Sequence, residues 1–305
     1  MVMAQSLFIA IKDQHPSCQI DVLAPEWTFT LLAKMPQVQQ AIPLPTTRGQ
    51  FGLSQRYQLG KQLRPEQYNQ AIVLPNSWKS ALVPFFANIP VRTGYIGEGR
   101  WGLLNDARKL DKSVLTMTVQ RFVTLGFEKH TPQPPSYQEP RIFIDKAAQD
   151  NVIQKFKLTR SDKILALCPG AEYGASKRWP AHYFADVALA KIQQGWQVWL
   201  LGSEKDTAAA EIINTATQHQ CRDFIGHTTL TEAVDLLSLA NSIIANDSGL
   251  MHLAAALDKP VIAIYGSTPP EFAPPLCPKA QTVCLNLPCS PCFKRECPLY
   301  PPGHD

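Results

Sequence analysis

The sequence has no long uninterrupted apolar run and no strong excess of either charge. No stretch approaches the roughly 18 consecutive apolar residues of a membrane-spanning helix. The first residues also lack the basic region, apolar core and cleavage site of a signal peptide. The 29 basic and 25 acidic side chains leave a formal charge of only +4, too small a bias to indicate nucleic-acid binding. These absences predict a cytoplasmic protein without a nucleic-acid partner.

Cysteine is also scarce, with eight residues in a chain of 305. Cys18, Cys168 and Cys221 lie in or beside apolar strand-like segments, where small buried thiols are common. The others crowd near the C-terminus, at Cys277, Cys284, Cys289, Cys292 and Cys297. This distribution is not that of a disulfide framework.

The remaining chemistry is that of an ordinary globular protein, with 45% hydrophobic and 18% charged residues. The length suits two domains of about 150 residues each. Residues 130–140 form a proline-bearing connector, because proline fixes its own φ and biases the preceding residue away from helix. We therefore predict an N-terminal domain over 1–140 and a C-terminal domain over 141–305.

In the second half, strand-like and helix-like runs alternate, which predicts a doubly wound parallel sheet. Pro180 suits the start of one helix and Gly195 its end, while Thr229 with Glu232 fits a capping box. The clearest strands are residues 164–167, 198–201, 243–245 and 261–264.

The first half repeats this scheme less cleanly, and we interpret it as a second Rossmann-like unit. Strands are predicted near 20–23, 38–42 and 71–74, and helices near 5–12 and 78–86. The chain opens directly on a helix-like stretch, without the strand and tight loop that normally precede the first helix of such a unit. It also stops without a terminal helix, so we expect a truncation at both ends, with the first strand of the N-terminal domain missing.

Ligands of doubly wound sheets bind beyond the carboxyl ends of the strands. One such position is the run Asn-Asp-Ser-Gly at 246–249, followed by a predicted helix. Gly249 allows close backbone approach, Ser248 offers a hydroxyl, and the helix N-terminus attracts anions. We predict a diphosphate site here that includes Asp247. The alternative is that Asp247 or Ser248 merely caps the helix.

Three further loops of the second half carry polar candidates. Lys177 follows the first strand and can neutralise charge on a departing phosphate, unless it is simply a solvated lysine. Asp206 follows the second strand, where a carboxylate can accept hydrogen bonds from ribose hydroxyls. The alternative is that Asp206 is an ordinary negative charge at a helix N-terminus. The backbone groups of the loop 226–229 can contact the base of a nucleotide. His252 lies one turn into the helix after Gly249, where packing is the alternative.

In the first half, polar groups that follow predicted strands are candidates for an anionic acceptor. Asn76 and Lys79 lie in the segment 74–80, and Arg92 and Arg100 follow the next strand. Arginine and lysine hold phosphate or carboxylate through charge-assisted hydrogen bonds. Scattered surface cations are the alternative.

Residues 168–180 and 246–257 together resemble the lipopolysaccharide heptosyltransferases. The similarity runs the whole chain and includes segments 74–86, 92–94 and 103–106. It implies a GT-B architecture, in which two Rossmann-like domains face each other across a cleft, with the donor in the C-terminal domain and the acceptor in the N-terminal one.

The resemblance also implies a reaction. L-glycero-D-manno-heptose passes from ADP-heptose to the first heptose of the lipopolysaccharide inner core, with inversion and without a cofactor. Lys177 and the segment Asp247, Ser248 and Gly249 would hold the diphosphate, Asp206 the ribose and Thr228 the adenine, with His252 nearby. A monomer is expected, in contact with the cytoplasmic face of the inner membrane through its anionic acceptor of Kdo and heptose.

Inverting transfer needs a base that deprotonates the acceptor hydroxyl. The resemblance implies an aspartate in an N-terminal glycine-bearing loop immediately before the segment that matches residues 1–7. We expect that loop to be missing here, and no catalytic base is assigned.

Two other functions stay open. A related GT-B transferase of another nucleotide sugar would need the same diphosphate site. An inactive binding or metal-dependent module is suggested by Cys289, Cys292 and Cys297, which with His304 offer four metal ligands. Because a second Cys-x-x-Cys or Cys-x-x-His pair is lacking, we favour structural or reactive thiols over a metal site.

Overall fold

The computed structural model describes residues 1–46, 50–132, 134–161 and 163–299. The chain divides into two compact units between Gln138 and Glu139. Gln133 of the predicted connector and His304 lie outside the described residues. None of the helices in the described part is both long and apolar enough to cross a membrane.

The C-terminal unit is built on one six-stranded parallel sheet, in the order β11-β10-β9-β6-β7-β8. Its strands are β6 (Ile164–Cys168), β7 (Gln197–Leu200), β8 (Arg222–Asp223), β9 (Ser242–Asn246), β10 (Val261–Tyr265) and β11 (Ala280–Cys284). Its helices are α6 (Lys146–Lys155), α7 (Ala181–Gln193), α8 (Thr207–Ala216), α9 (Leu230–Leu239) and α10 (Gly249–Ala256). The prediction of a doubly wound parallel sheet is confirmed.

Local sequence signals explain how these elements begin and pack. All five residues of β6 are buried, as expected for a central parallel strand covered on both faces. Thr229 accepts a hydrogen bond from the backbone of Glu232 and forms the predicted capping box at the start of α9. Pro180 precedes α7, and Gly195 follows it with a φ of 79°.

In the described residues of the N-terminal unit, the strands are β1 (Asp21–Ala24), β2 (Gln40–Pro43), β3 (Gln70–Val73), β4 (Val91–Tyr95) and β5 (Asp106–Arg108). They form two separate parallel sheets, β1-β2 and β3-β4-β5. The helices are α1 (Gln5–Gln14), α2 (Phe29–Leu32), α3 (Leu53–Gln62), α4 (Leu82–Phe86) and α5 (Thr118–Thr124), with a 3-10 turn at Trp78–Ala81 before α4. One sequence prediction is wrong here: Arg92 lies within β4 and not in the loop that follows it.

Candidate functional site

The carboxyl end of β9 is tied to the long loop that follows β6. The fully buried side chain of Asn246 donates from Nδ2 to the carbonyl of Pro169, at 2.7 Å. Its Oδ1 accepts the backbone N–H of Trp179, at 3.0 Å. One amide thus fixes both ends of the loop that carries Lys177.

Lys177 and Asp247 meet at this edge of the sheet, although 70 positions separate them in sequence. The Lys177 ammonium forms an ion pair with Oδ2 of Asp247, and the two side chains are only 13% and 6% exposed. Thr268, in the loop after β10, donates its hydroxyl to the same oxygen at 2.6 Å. The pair is largely buried and formally neutral, and Lys177 is not a solvated lysine.

The start of α10 is open to a ligand. Ser248 is the N-cap residue, but its side chain makes no capping hydrogen bond. Its Oγ is buried without a partner in the part of the chain that the structure describes. A Cβ at Gly249 would meet no described atom within 4 Å, so there is open space beside the first turn of α10. The first backbone N–H groups of an α-helix have no partner within the helix itself. The capping alternative for Ser248 and Asp247 is therefore not found.

His252 lies one turn into α10 and is partly buried. Burial lowers the pKa of His252 to about 4. The charge of Asp247 opposes this shift, and the charge of Lys177 adds to it. Its imidazole is neutral at pH 7, so it can offer a hydrogen bond but no positive charge.

Asp206 is 8% exposed in the turn after β7. Its Oδ2 accepts hydrogen bonds from the backbone and hydroxyl of Ser203, both at 2.9 Å. Its Oδ1 lies 3.8 Å from Arg178. Gly170 has no room for a side chain here, because a Cβ would lie 2.3 Å from the Asp206 carboxylate. These contacts agree with the helix-terminus alternative, and the ribose role stays a prediction.

Thr228 lies in the turn between β8 and α9 and is partly buried. The backbone N–H of Gly226 donates to the carbonyl of Gly202, at 3.2 Å, which joins this turn to the loop after β7. The fold therefore gathers the loops after β6, β7, β8 and β9 at one edge of the sheet.

Sequence reasoning did not place Thr268, Tyr173 or the segment 290–295 beside the pair of Lys177 and Asp247, although it considered Cys292 of that segment as a thiol or metal ligand. Tyr173 has its ring centroid 5.0 Å from the Lys177 ammonium. Its hydroxyl donates to the carbonyl of Phe293, at 2.6 Å. No local signal marks these residues, because the hydrogen bonds of Thr268 to Asp247 and of Tyr173 to Phe293 join positions that are distant in sequence.

The C-terminal cysteines do not assemble a metal centre in the described residues, where no three or more His, Cys, Asp or Glu side chains share a site. Cys289 is exposed, whereas Cys292 and Cys297 are partly buried. His304, the fourth candidate ligand, lies outside the described residues. A separate cavity of about 420 Å³, lined by Gln149, Trp199 and Asn241 among others, lies toward the amino ends of β6 and β9 and contains none of the predicted site residues.

In the N-terminal unit, Arg92 and Arg100 form hydrogen bonds with other groups of the protein. Arg100 is 2% exposed and donates to the carbonyls of Tyr95 and Pro75 and, at 3.2 Å, to Oδ1 of Asn76. Arg92 donates from Nε to the carbonyl of Leu103, at 2.7 Å, and from Nη1 to that of Ile89, at 2.6 Å. Their contacts favour a structural role.

Among the cations predicted to bind the acceptor, Lys79 makes the weakest contact with the protein. Lys79 is partly buried, and its ammonium lies 3.4 Å from the carbonyl of Gln50, longer than a typical N–H···O hydrogen bond. Of the three predicted acceptor cations, Lys79 thus has the fewest hydrogen bonds to the protein. The acceptor role of these three and of Asn76 stays a prediction.

Comparison with known proteins shows which sequences and structures this chain is similar to. Residues 56–301 match glycosyltransferase family 9 (heptosyltransferase). The chain is 44% identical to lipopolysaccharide heptosyltransferase 2 of Salmonella typhimurium over 93% of its own length and 84% of that protein. It is 46% identical to lipooligosaccharide heptosyltransferase 2 of Haemophilus influenzae, over 93% and 85% of the two chains. The structure of the E. coli ADP-heptose LPS heptosyltransferase II is similar with a TM-score of 0.85 and 42% identity, covering 93% of this chain and 86% of that one.

Proposed function

This chain belongs to glycosyltransferase family 9, the heptosyltransferases, and we propose that its C-terminal unit holds the diphosphate of ADP-heptose between Lys177 and the start of α10. It is an enzyme that transfers heptose to the lipopolysaccharide inner core.

The observation that carries the proposal is the buried, unpartnered hydroxyl of Ser248 beside the open N-terminus of α10. A buried hydroxyl without a hydrogen bond is unfavourable, and a bound ligand can supply the missing partner. The free N–H groups of a helix N-terminus and its positive dipole end suit a phosphate. The Lys177 ammonium contacts Asp247, the residue immediately before Ser248.

Transfer breaks the bond between the anomeric carbon of heptose and the diphosphate, so negative charge grows on the departing ADP. Fixed donors aimed at that charge stabilise the transition state more than the ground state. We assign this role to Lys177 and the backbone of α10. Thr268 holds Asp247, and Asp247 positions the ammonium of Lys177. We further propose inversion at the anomeric carbon and the first inner-core heptose as acceptor.

For the rest of the donor, we propose that the backbone at Thr228 meets the adenine. Asp206 would accept a hydrogen bond from the ribose through Oδ1, because its Oδ2 already accepts two hydrogen bonds from Ser203. For the acceptor, we propose that Lys79 contacts the anionic inner core, while Arg100 and Asn76 hold the loop after β3 in place.

Ser248→Ala tests the donor site with little disturbance of the fold. It removes a hydroxyl without a partner, so we expect the free energy of unfolding of the ligand-free chain to stay the same or to rise slightly. Loss of one hydrogen bond to the diphosphate is expected to weaken ADP binding about 5-fold, equivalent to ~1 kcal/mol. Titration calorimetry with ADP measures the affinity, and thermal unfolding checks stability.

Ser54→Ala is a matched control, since Ser54 is an exposed serine in α3 of the other unit. It is expected to bind ADP like the wild type. Equal ADP affinity of wild type and Ser248→Ala would contradict the assignment of Ser248 to the donor site.

A further inference from the structure

A segment after β11 lies across the loop that carries Lys177. We call residues 290–295 the C-terminal strap. It is held to the loops after β6 and β10 by hydrogen bonds from Tyr173 Oη to Phe293 O (2.6 Å), Ser176 N to Arg295 O (3.1 Å), Ser176 Oγ to Lys294 O, Phe293 N to Ser267 O (2.9 Å) and Ser290 Oγ to Gly266 O (2.6 Å). These bonds fix the strap against both loops that frame the donor site.

The strap is packed too closely to tolerate a side chain at Gly174. A Cβ there would lie 2.2 Å from the carbonyl oxygen of Arg295, within the backbone of the strap. The φ of Gly174 is 162°, an extended value that any residue adopts, so space and not backbone strain requires glycine. A methyl group at this position must therefore push the strap away from its loop.

The proposed donor site needs more positive charge than Lys177, His252 and Arg178 provide. The ion pair of Lys177 with Asp247 is neutral, whereas a nucleoside diphosphate sugar is anionic and gains further charge as the sugar departs. His252 is neutral at pH 7, because burial lowers its pKa to about 4. Arg178 faces Asp206, at 3.8 Å. None of these three groups therefore adds net positive charge to the site.

Arg295 of the strap is placed to supply that charge. Its guanidinium carbon lies 5.5 Å from the centroid of the Tyr173 ring, and the Lys177 ammonium lies 5.0 Å from the same centroid. Arg295 is exposed, and none of the ion pairs in the described part of the chain includes it. Stacking on a tyrosine orients a guanidinium while leaving its N–H donors free for phosphate.

The geometry points to Arg295 as a donor-site residue whose guanidinium contacts the diphosphate of the nucleotide sugar, with the C-terminal strap as a fixed wall of that site. The inference rests on the donor site proposed above. It assigns the strap a function in nucleotide binding and the stabilisation of the leaving group, and it explains why Gly174 and Tyr173 face the strap.

Titration calorimetry on the full chain with ADP and with adenosine tests this assignment. We expect Arg295→Ala to weaken ADP binding about 10-fold or more, because a charge-assisted bond to phosphate is lost, and to leave adenosine binding unchanged. Arg295→Lys keeps the charge and is expected to restore part of the affinity. Arg160→Ala is the matched control, since Arg160 is an exposed arginine before β6, paired with Asp150 at 2.5 Å.

Gly174→Ala provides a second test that removes no charge. By displacing the strap it should weaken ADP binding about as much as Arg295→Ala, and the double variant should lose little more than either single one. Circular dichroism and thermal unfolding identify a variant that fails to fold. If the wild type binds ADP and either variant binds it equally well, the role of the strap is wrong while the donor site stands. A folded wild type that does not bind ADP overturns the donor site and this inference together.

Discussion

Lys177→Met is expected to lower kcat/KM for heptose transfer from ADP-heptose by about 100- to 1,000-fold, the usual effect of removing one preorganised group that stabilises developing negative charge. Methionine keeps most of the length of the side chain but loses the ammonium. The carboxylate of Asp247 then faces the departing diphosphate without a cation, which adds repulsion to the lost attraction. Steady-state transfer to an inner-core acceptor measures the effect.

The same variant is also expected to lose stability, because removing one partner of a buried ion pair leaves an uncompensated charge and costs ~3–5 kcal/mol. Lys177→Met combined with Asp247→Asn separates the two effects. The double variant restores neutrality, and we expect it to regain stability but not transfer. Lys279→Met is the control, since it breaks an exposed pair with Asp258, 2.6 Å long. Recovery of transfer in the double variant would contradict the role of Lys177.

Asn246→Ala is expected to lower the free energy of unfolding by about 2–4 kcal/mol, since the carbonyl of Pro169 and the N–H of Trp179 both lose a buried partner. The loop between them carries Lys177, so transfer should fall together with stability. Denaturant unfolding measures the first effect and kcat/KM the second.

Asn105→Ala is a closely matched control. Asn105 also bridges two backbone groups, accepting from Arg92 N at 2.7 Å and donating to Pro90 O at 2.6 Å, but it is exposed. Water replaces its partners, and we expect a loss below about 1 kcal/mol. Equal effects of the two alanine variants would show that burial of Asn246 does not matter.

Sequence patterns predicted the elements that bury apolar residues at regular spacing. The alternation in the second half predicted the strands at the centre of its sheet, and the capping box at Thr229 and Glu232 predicted the start of α9. Both signals are local, since they depend on residues a few positions apart.

The missed elements lack such a pattern. Helix α3 buries only Arg56 and Gly60, so it has no apolar stripe. Strand β8 has two residues, both exposed, and the edge strand β11 buries none of its five fully. Their positions depend on neighbours in the folded sheet, which a single sequence window does not contain.

The candidate site was predictable in position but not in its pairings. The rule that ligands bind beyond the carboxyl ends of parallel strands located the loops that carry Lys177 and Asp247. The rule does not show that these two side chains pair with each other, that Thr268 shares the same oxygen, or that Arg100 is buried against backbone carbonyls. Such contacts depend on tertiary packing.

A crystal structure of the chain with bound ADP tests the central claim most directly. The account predicts the diphosphate within hydrogen-bonding distance of the Lys177 ammonium, the hydroxyl of Ser248 and the first N–H groups of α10. ADP bound in the 420 Å³ cavity lined by Trp199, at the amino ends of the strands, would contradict it, as would a diphosphate that touches neither Lys177 nor α10.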